Sequence, residues 1–234
     1  MYFRCVKSRR YVNWQNGQAF LYGFLVLALL TCSCSKPSKL AEVTAQARRG
    51  DAEAQYQLGM YYHEGLELAP DYETAGMWFH KAAEQGHPAA QLALGKMYLN
   101  AEGVLPDDVE AAKWIRKAAE QGFAPAQDEL AFMHSNGIGV IKDEAEAVSW
   151  AAKAAEQGFT DAQYHLGCLL STNAPGGVAP DIVAACVWLS LAAADGHLEA
   201  EELLGTARAR LTPAQLEDVK RRVDRWKQTH AAEE

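Results

Sequence analysis

The sequence is poor in the residues that announce chemistry. Its 234 residues hold five cysteines, scattered at 5, 32, 34, 168 and 186, too few for a disulfide-stapled scaffold. The seven histidines form no metal pattern such as His-Glu-x-x-His, and no metal or cofactor is expected. Gly137-Ile138-Gly139-Val140 lacks the Gly-Lys-Ser/Thr that would make it a phosphate loop. Bases are outnumbered by acids, 22 to 30, for a net charge of −8. That balance argues against nucleic acid, because neutralising phosphates takes a basic surface. One long apolar run exists, Ala19 to Leu30, and its twelve residues fall short of the ~20 that a spanning helix needs. What is plentiful is apolar residue, 49% of the chain and much of it alanine, which excludes wholesale disorder and fibrous classes.

Residues 1–18 carry Arg4, Lys7, Arg9 and Arg10 and no acid, and the apolar run and small residues follow. This is the layout of an export signal. The next stretch, Leu29-Leu-Thr-Cys-Ser-Cys34-Ser-Lys-Pro, resembles the cleavage region of bacterial lipoproteins. Cys34 is preceded by small Ser33 but has Thr31 where that family has Leu, while Cys32 has Leu29 correctly placed but follows Thr31. The resemblance implies lipid attachment at Cys34; the alternatives are secretion with simple cleavage and an uncleaved anchor, since extension through Thr31 and Cys32 approaches the lower limit of a spanning helix. The expected organisation is a leader over 1–33, a tether over 34–39, a repeat body over 40–210 and a last helix over 211–234. Without residues 1–33 the chain has 18 bases against 30 acids, so membrane contact is expected only through the signal or the lipid.

Beyond the leader the sequence is periodic. Tryptophans fall at 78, 114, 150, 188 and 226, separated by 36, 36, 38 and 38 residues. Asp71, Asp107, Asp143 and Asp181 keep the step, as do Gly86, Gly122, Gly158 and Gly196. Lys-Ala-Ala-Glu-Gln-Gly recurs intact at 81–86, 117–122 and 153–158 and degrades to Leu-Ala-Ala-Ala-Asp-Gly at 191–196. Each unit reads as two helices. In the first, apolar and small residues recur at a 3.6-residue period, and Gly59, Gly95 and Gly167, with Ala131 in unit three, leave room for a neighbouring helix. The aspartates are placed to N-cap the second helix, with Glu110 and Glu146 at the capping-box offset, and the glycines to end it. One tryptophan per unit is expected to fill the remaining core volume.

A helix pair cannot bury its apolar face alone, so stacked neighbours must complete the core. The fold expected is all-α: an α/α solenoid of about four units with capping helices at both ends. Ala-x-x-x-Leu-Gly-x-x-Tyr, a Gly-rich loop, Asp-x-x-x-Ala-x-x-Trp and Lys-Ala-Ala-Glu-Gln-Gly together resemble the Sel-1-like repeat, a relative of the tetratricopeptide repeat. The likeness covers about residues 40–205, with local departures at Glu67, Ala131 and the insertion near 174–177. Leu40 to Arg49 reads as an incoming cap. Thr212, Pro213 and Gln215 start a last helix with Leu216, Val219, Val223 and Trp226 on its apolar face and Lys220, Arg221, Arg222, Arg225 and Lys227 outward.

Cys168 and Cys186 lie on opposite helices of unit four at about the same height, which makes a disulfide conceivable in an oxidising compartment. The alternative is two small packing residues. Related repeats, by analogy, line the concave face with their first helices. The stripe opposite the packing glycine is Tyr56, Met60 and Glu64; Leu92, Lys96 and Asn100; Asp128, Phe132 and Asn136; Tyr164, Cys168 and Thr172. Aromatic anchors beside amides and charges suit a peptide or protein partner. The function expected is therefore a non-enzymatic adaptor of the bacterial envelope, exported to the periplasm. The competing readings are an envelope hydrolase, a β-lactam-binding repeat protein, or a structural scaffold of an envelope assembly.

Overall fold

A computed structural model describes residues 38–67, 69–172 and 180–230. The export signal, Cys34 and the tether as far as residue 37 lie outside the described residues. Among the described residues there are eleven helices and no strand. They are α1 (Lys39–Arg48), α2 (Ala52–Glu64), α3 (Tyr72–Glu84), α4 (Pro88–Asn100), α5 (Asp108–Glu120), α6 (Ala124–Asn136), α7 (Glu144–Glu156), α8 (Thr160–Ser171), α9 (Ile182–Ala194), α10 (Leu198–Arg208) and α11 (Pro213–His230). Consecutive helices pack from α1 to α10, so α2/α3, α4/α5, α6/α7 and α8/α9 are the four pairs of a solenoid.

The glycine seats explain the tight packing within a pair. A Cβ at Gly59 would sit 2.5 Å from the Phe79 ring, one at Gly95 2.5 Å from Ile115, and one at Gly167 2.6 Å from Leu189. In units one, two and four the second helix thus presses one large side chain against the backbone of its first helix, while unit three pairs Ala131 with Ala151 at these positions. The aspartates behave as expected: Oδ1 of Asp71, Asp107, Asp143 and Asp181 accepts from the backbone N–H of Thr74, Glu110, Glu146 and Ala184 at 2.9–3.0 Å. The capping box does not close at Glu110 or Glu146. The N–H it would use is already spent, because Asp107 donates to the Tyr98 carbonyl and Asp143 to that of His134 at the end of the preceding helix. Among the described residues the box closes at α11, where Thr212 N–H donates to Gln215 Oε1 at 2.9 Å.

A buried glutamine chain, unforeseen from the sequence, links successive units. Nε2 of Gln55, Gln91 and Gln127 donates to the carbonyls of Ala47, Ala83 and Ala119 at 3.1–3.2 Å. Their Oε1 atoms accept from Gln85, Gln121 and Gln157 at 2.7 Å, the glutamines of the Lys-Ala-Ala-Glu-Gln-Gly segment. Gln163 in unit four donates to Ala155, but Asp195 replaces its partner and the buried Gln163 Oε1 has no hydrogen bond among the described residues.

One expectation holds only in part. Trp114 is buried in the core, whereas Trp78, Trp150, Trp188 and Trp226 are half-buried and pack against its edge. The interior is alanine with Phe79, Leu94, Ile115, Leu130, Leu166 and Leu189. The Lys81, Lys117 and Lys153 ammonium groups lie 4.2, 3.7 and 3.8 Å from the ring centres of Trp78, Trp114 and Trp150. The last helix, α11, does not stand beside α10, where Gly205, the counterpart of Gly167, has nothing within 4 Å of its Cβ position. Instead α11 folds back along α9, burying Val219 and packing Val223 and Trp226 against that cluster. His230 Nε2 reaches the Glu156 carbonyl of α7 at 2.9 Å.

Candidate functional site

Successive first helices approach one another, α4 with α6, α6 with α8 and α8 with α10, which makes their shared side the inner face. The stripe expected there divides into buried, packed and open positions. Leu92 and Asp128 are buried and present little surface to a partner. Tyr56 and Tyr164 stack on the next unit's histidines, His87 and His197, with centroids 4.9 and 4.3 Å apart. These histidines serve as N-caps, their Nδ1 atoms accepting from Ala90 and Ala200. Burial raises the Tyr56 hydroxyl above its ordinary range, with Glu53 and Glu64 adding to the effect. Glu53, hydrogen-bonded to His87 at 2.9 Å, is held below the ordinary carboxylate range. Met60 is half-buried beside Phe79, and Glu64 is exposed. Asn100 is also exposed, and Thr172 turns its hydroxyl to the Leu169 carbonyl.

The open part of the face lies between α6 and α8. There a groove of about 190 Å³ is lined by Ala131, Phe132, Ser135, Asn136, His165, Cys168 and Leu169. Phe132 is 48% exposed, a large apolar side chain left to water at the groove edge. Asn136 Nδ2 donates to the Phe132 carbonyl and to Ser135 Oγ at 2.9 Å, which fixes its amide and leaves its Oδ1 without a hydrogen bond among the described residues. Across the floor His165 Nδ1 meets Oδ1 of the buried Asp128 at 2.8 Å. That hydrogen bond raises His165 above the ordinary imidazole range, with burial offsetting part of the shift. One unit earlier, Lys96 and Glu129 join α4 to α6 at 3.1 Å along the same face.

Cys168 and Cys186 are free thiols, so the conceivable disulfide is not formed. The two face different surroundings: Cys168 lines the groove, while Cys186 is sealed in the cluster between α9, α10 and α11. Burial pushes both thiols up, away from the reactive thiolate. Ala131, Ser135, His165 and Leu169 line the groove outside the expected stripe, and Glu129 lies on the same face one unit earlier, paired with Lys96. His165 and Glu129 each stand one position after a stripe residue, Tyr164 and Asp128, so an inner face two residues wide would have included them.

The Sel1 repeat model matches residues 52–87, 88–123, 124–159 and 160–197, one match to each helix pair. The chain belongs to the Sel1 repeat family. Sel1-repeat proteins in general mediate protein–protein interaction and are generally non-catalytic scaffolds. A Sel1 repeat protein from Oxalobacter formigenes is similar in structure, with a TM-score of 0.66 and 28% identity over 77% of this chain and 74% of that one. A protective antigen present in uropathogenic Escherichia coli strains, displaying an SLR fold, gives a TM-score of 0.54 and 29% identity. The match covers 83% of this chain but only 49% of that antigen, about half its length. No curated protein matches.

Proposed function

We propose that this Sel1-repeat protein is a non-enzymatic adaptor of the bacterial cell envelope that holds an extended peptide or protein segment in the inner groove between α6 and α8. The observation that carries the reading is the exposed Phe132 beside a groove with few outward polar groups. An anchor side chain of the partner fits against Phe132 and Leu169, and Asn136 and His165 offer hydrogen bonds to its backbone. The His165–Asp128 pair has the form of a catalytic dyad, but the neighbouring Cys168 thiol is held neutral by burial. Recognition therefore fits these residues better than acyl transfer does. The basic, apolar leader and Cys34 support export and lipid anchoring.

A photo-crosslinking residue in place of Phe132, irradiated in intact cells and followed by mass spectrometry, is expected to trap one dominant partner. The same residue placed at the outward Lys113 serves as the control and is expected to trap none of it. Equal trapping at both positions refutes the groove. Metabolic labelling with a fatty-acid analogue is expected to mark the wild type and not Cys34→Ala; labelling of both, or of neither, refutes attachment at Cys34.

A further inference from the structure

The outer face of unit four departs from the other three in a way that opens a second surface. In units one to three the tryptophan ring is covered by its own lysine, three residues on. In unit four that position is Leu191, which is buried, and Trp188 keeps no such cover. Trp188 instead lines a groove of about 330 Å³ with Ala184, Val187, Arg222, Arg225, Trp226 and Thr229, formed where α11 lies along α9. His230 stacks on Trp226 at 3.9 Å and fixes that ring as one wall. Charge sets the chemistry of an occupant. Residues 208–230 carry seven bases and three acids, whereas residues 34–207 carry 11 bases and 25 acids. Asp218 is engaged by Arg221 and by Arg222 at 2.8 Å, and Arg225 has no acidic partner among the described residues.

We propose that the groove between α9 and α11 is a second docking site, separate from the inner groove, which takes an acidic peptide segment of a partner protein. An aliphatic side chain of the segment lies between Trp188 and Trp226, and flanking carboxylates meet the Arg222 and Arg225 guanidiniums. A peptide whose acids alternate with leucines matches both the apolar walls and the basic rim. With one site on each face, the solenoid can join two partners.

The test uses the full chain with 15N-labelled tryptophan indoles and the synthetic peptide acetyl-Glu-Leu-Asp-Leu-Glu-amide. The peptide is expected to shift the indole signals of Trp188 and Trp226 and leave those of Trp78, Trp114 and Trp150 in place. Arg225→Glu, on an exposed side chain, is expected to weaken binding about tenfold with unchanged circular dichroism. The matching lysine–leucine peptide is expected to bind only that variant. Phe132→Ala is expected to leave the shifts intact, so failure of the inner groove and failure of this site are separately visible. The proposal is overturned by no shift at millimolar peptide, by shifts confined to the other tryptophans, or by loss of the shifts in Phe132→Ala. A galacturonate oligosaccharide that shifts Trp188 and Trp226 where the peptide does not would overturn the peptide as occupant.

Discussion

In units one to three the glutamine of Lys-Ala-Ala-Glu-Gln-Gly closes a buried hydrogen-bond chain and the lysine covers a tryptophan; in unit four Asp195 and Leu191 stand at those places and do neither. The first three units thus keep the glutamine and lysine pairings that unit four loses, although the buried Trp114 Nε1, His134 Nδ1 and Trp150 Nε1 have no hydrogen bond among the described residues. Unit four leaves a buried carbonyl oxygen unpaired, a tryptophan uncovered and, just beyond it, a glycine seat empty. Regularity here marks stability, and the departures mark surface free for other uses. Both proposed sites draw on unit four: the inner groove takes one wall from α8, and the outer groove one wall from α9.

The contrast is sharpest at the glycine seats. Gly95→Leu drives a side chain into Ile115 and is expected to cost about 3 kcal/mol or more of unfolding free energy. Gly205→Ala meets open space in a helix and is expected to stabilise by up to about 1 kcal/mol. Denaturant unfolding of the two variants checks the pair; similar losses from both would mean that Gly205 is packed like the others. The glutamine chain gives the next effect. Gln127→Leu strands Gln157 and the Ala119 carbonyl and is expected to cost about 1–3 kcal/mol, while Asp195→Gln supplies Gln163 with its missing donor and is expected to gain about 1 kcal/mol. Thermal unfolding distinguishes these outcomes.

The smallest effect concerns pH. His165 is raised by Asp128, so its contribution to stability is fully present below the ordinary imidazole pKa and is lost as pH rises through the higher folded-state value. Asp128→Asn is expected to bring the His165 titration, followed by NMR, back down and to flatten this part of the pH–stability curve. An unchanged His165 titration in the variant would show that the hydrogen bond does not set it.

Much of this architecture was legible in the sequence because each unit repeats its own instructions. The period placed the helix pairs, Asp71 and its counterparts marked the second-helix starts, and Gly59, Gly95 and Gly167 marked close contacts. What was not legible depends on pairings between units. Glu110 and Glu146 have the right offset for a capping box, but the N–H they need goes to a carbonyl of the preceding helix. The tryptophans look like core residues by composition, yet among the described residues only Trp114 is buried, and the lysine three residues on from Trp78, Trp114 and Trp150 covers each ring, a contact that composition does not show. Asp128 and His165 stand 37 residues apart and one position out of register with the repeat, so no local pattern pairs them. Nor does any motif in α11 tell that it folds back over α9, since its apolar face would serve equally in the regular place.

The empty seat at Gly205 has a consequence for how such a protein can grow. Each unit touches mainly its neighbours, so the cost of adding one is local. Here α11 is diverted along α9, while the backbone of α10 still offers the hollow that Phe79, Ile115 and Leu189 fill elsewhere. A duplicated helix pair inserted at this junction would find its first contact already shaped. Unit number, and with it the length of the inner face, is thus a quantity that gene duplication can change in whole steps without redesigning the fold.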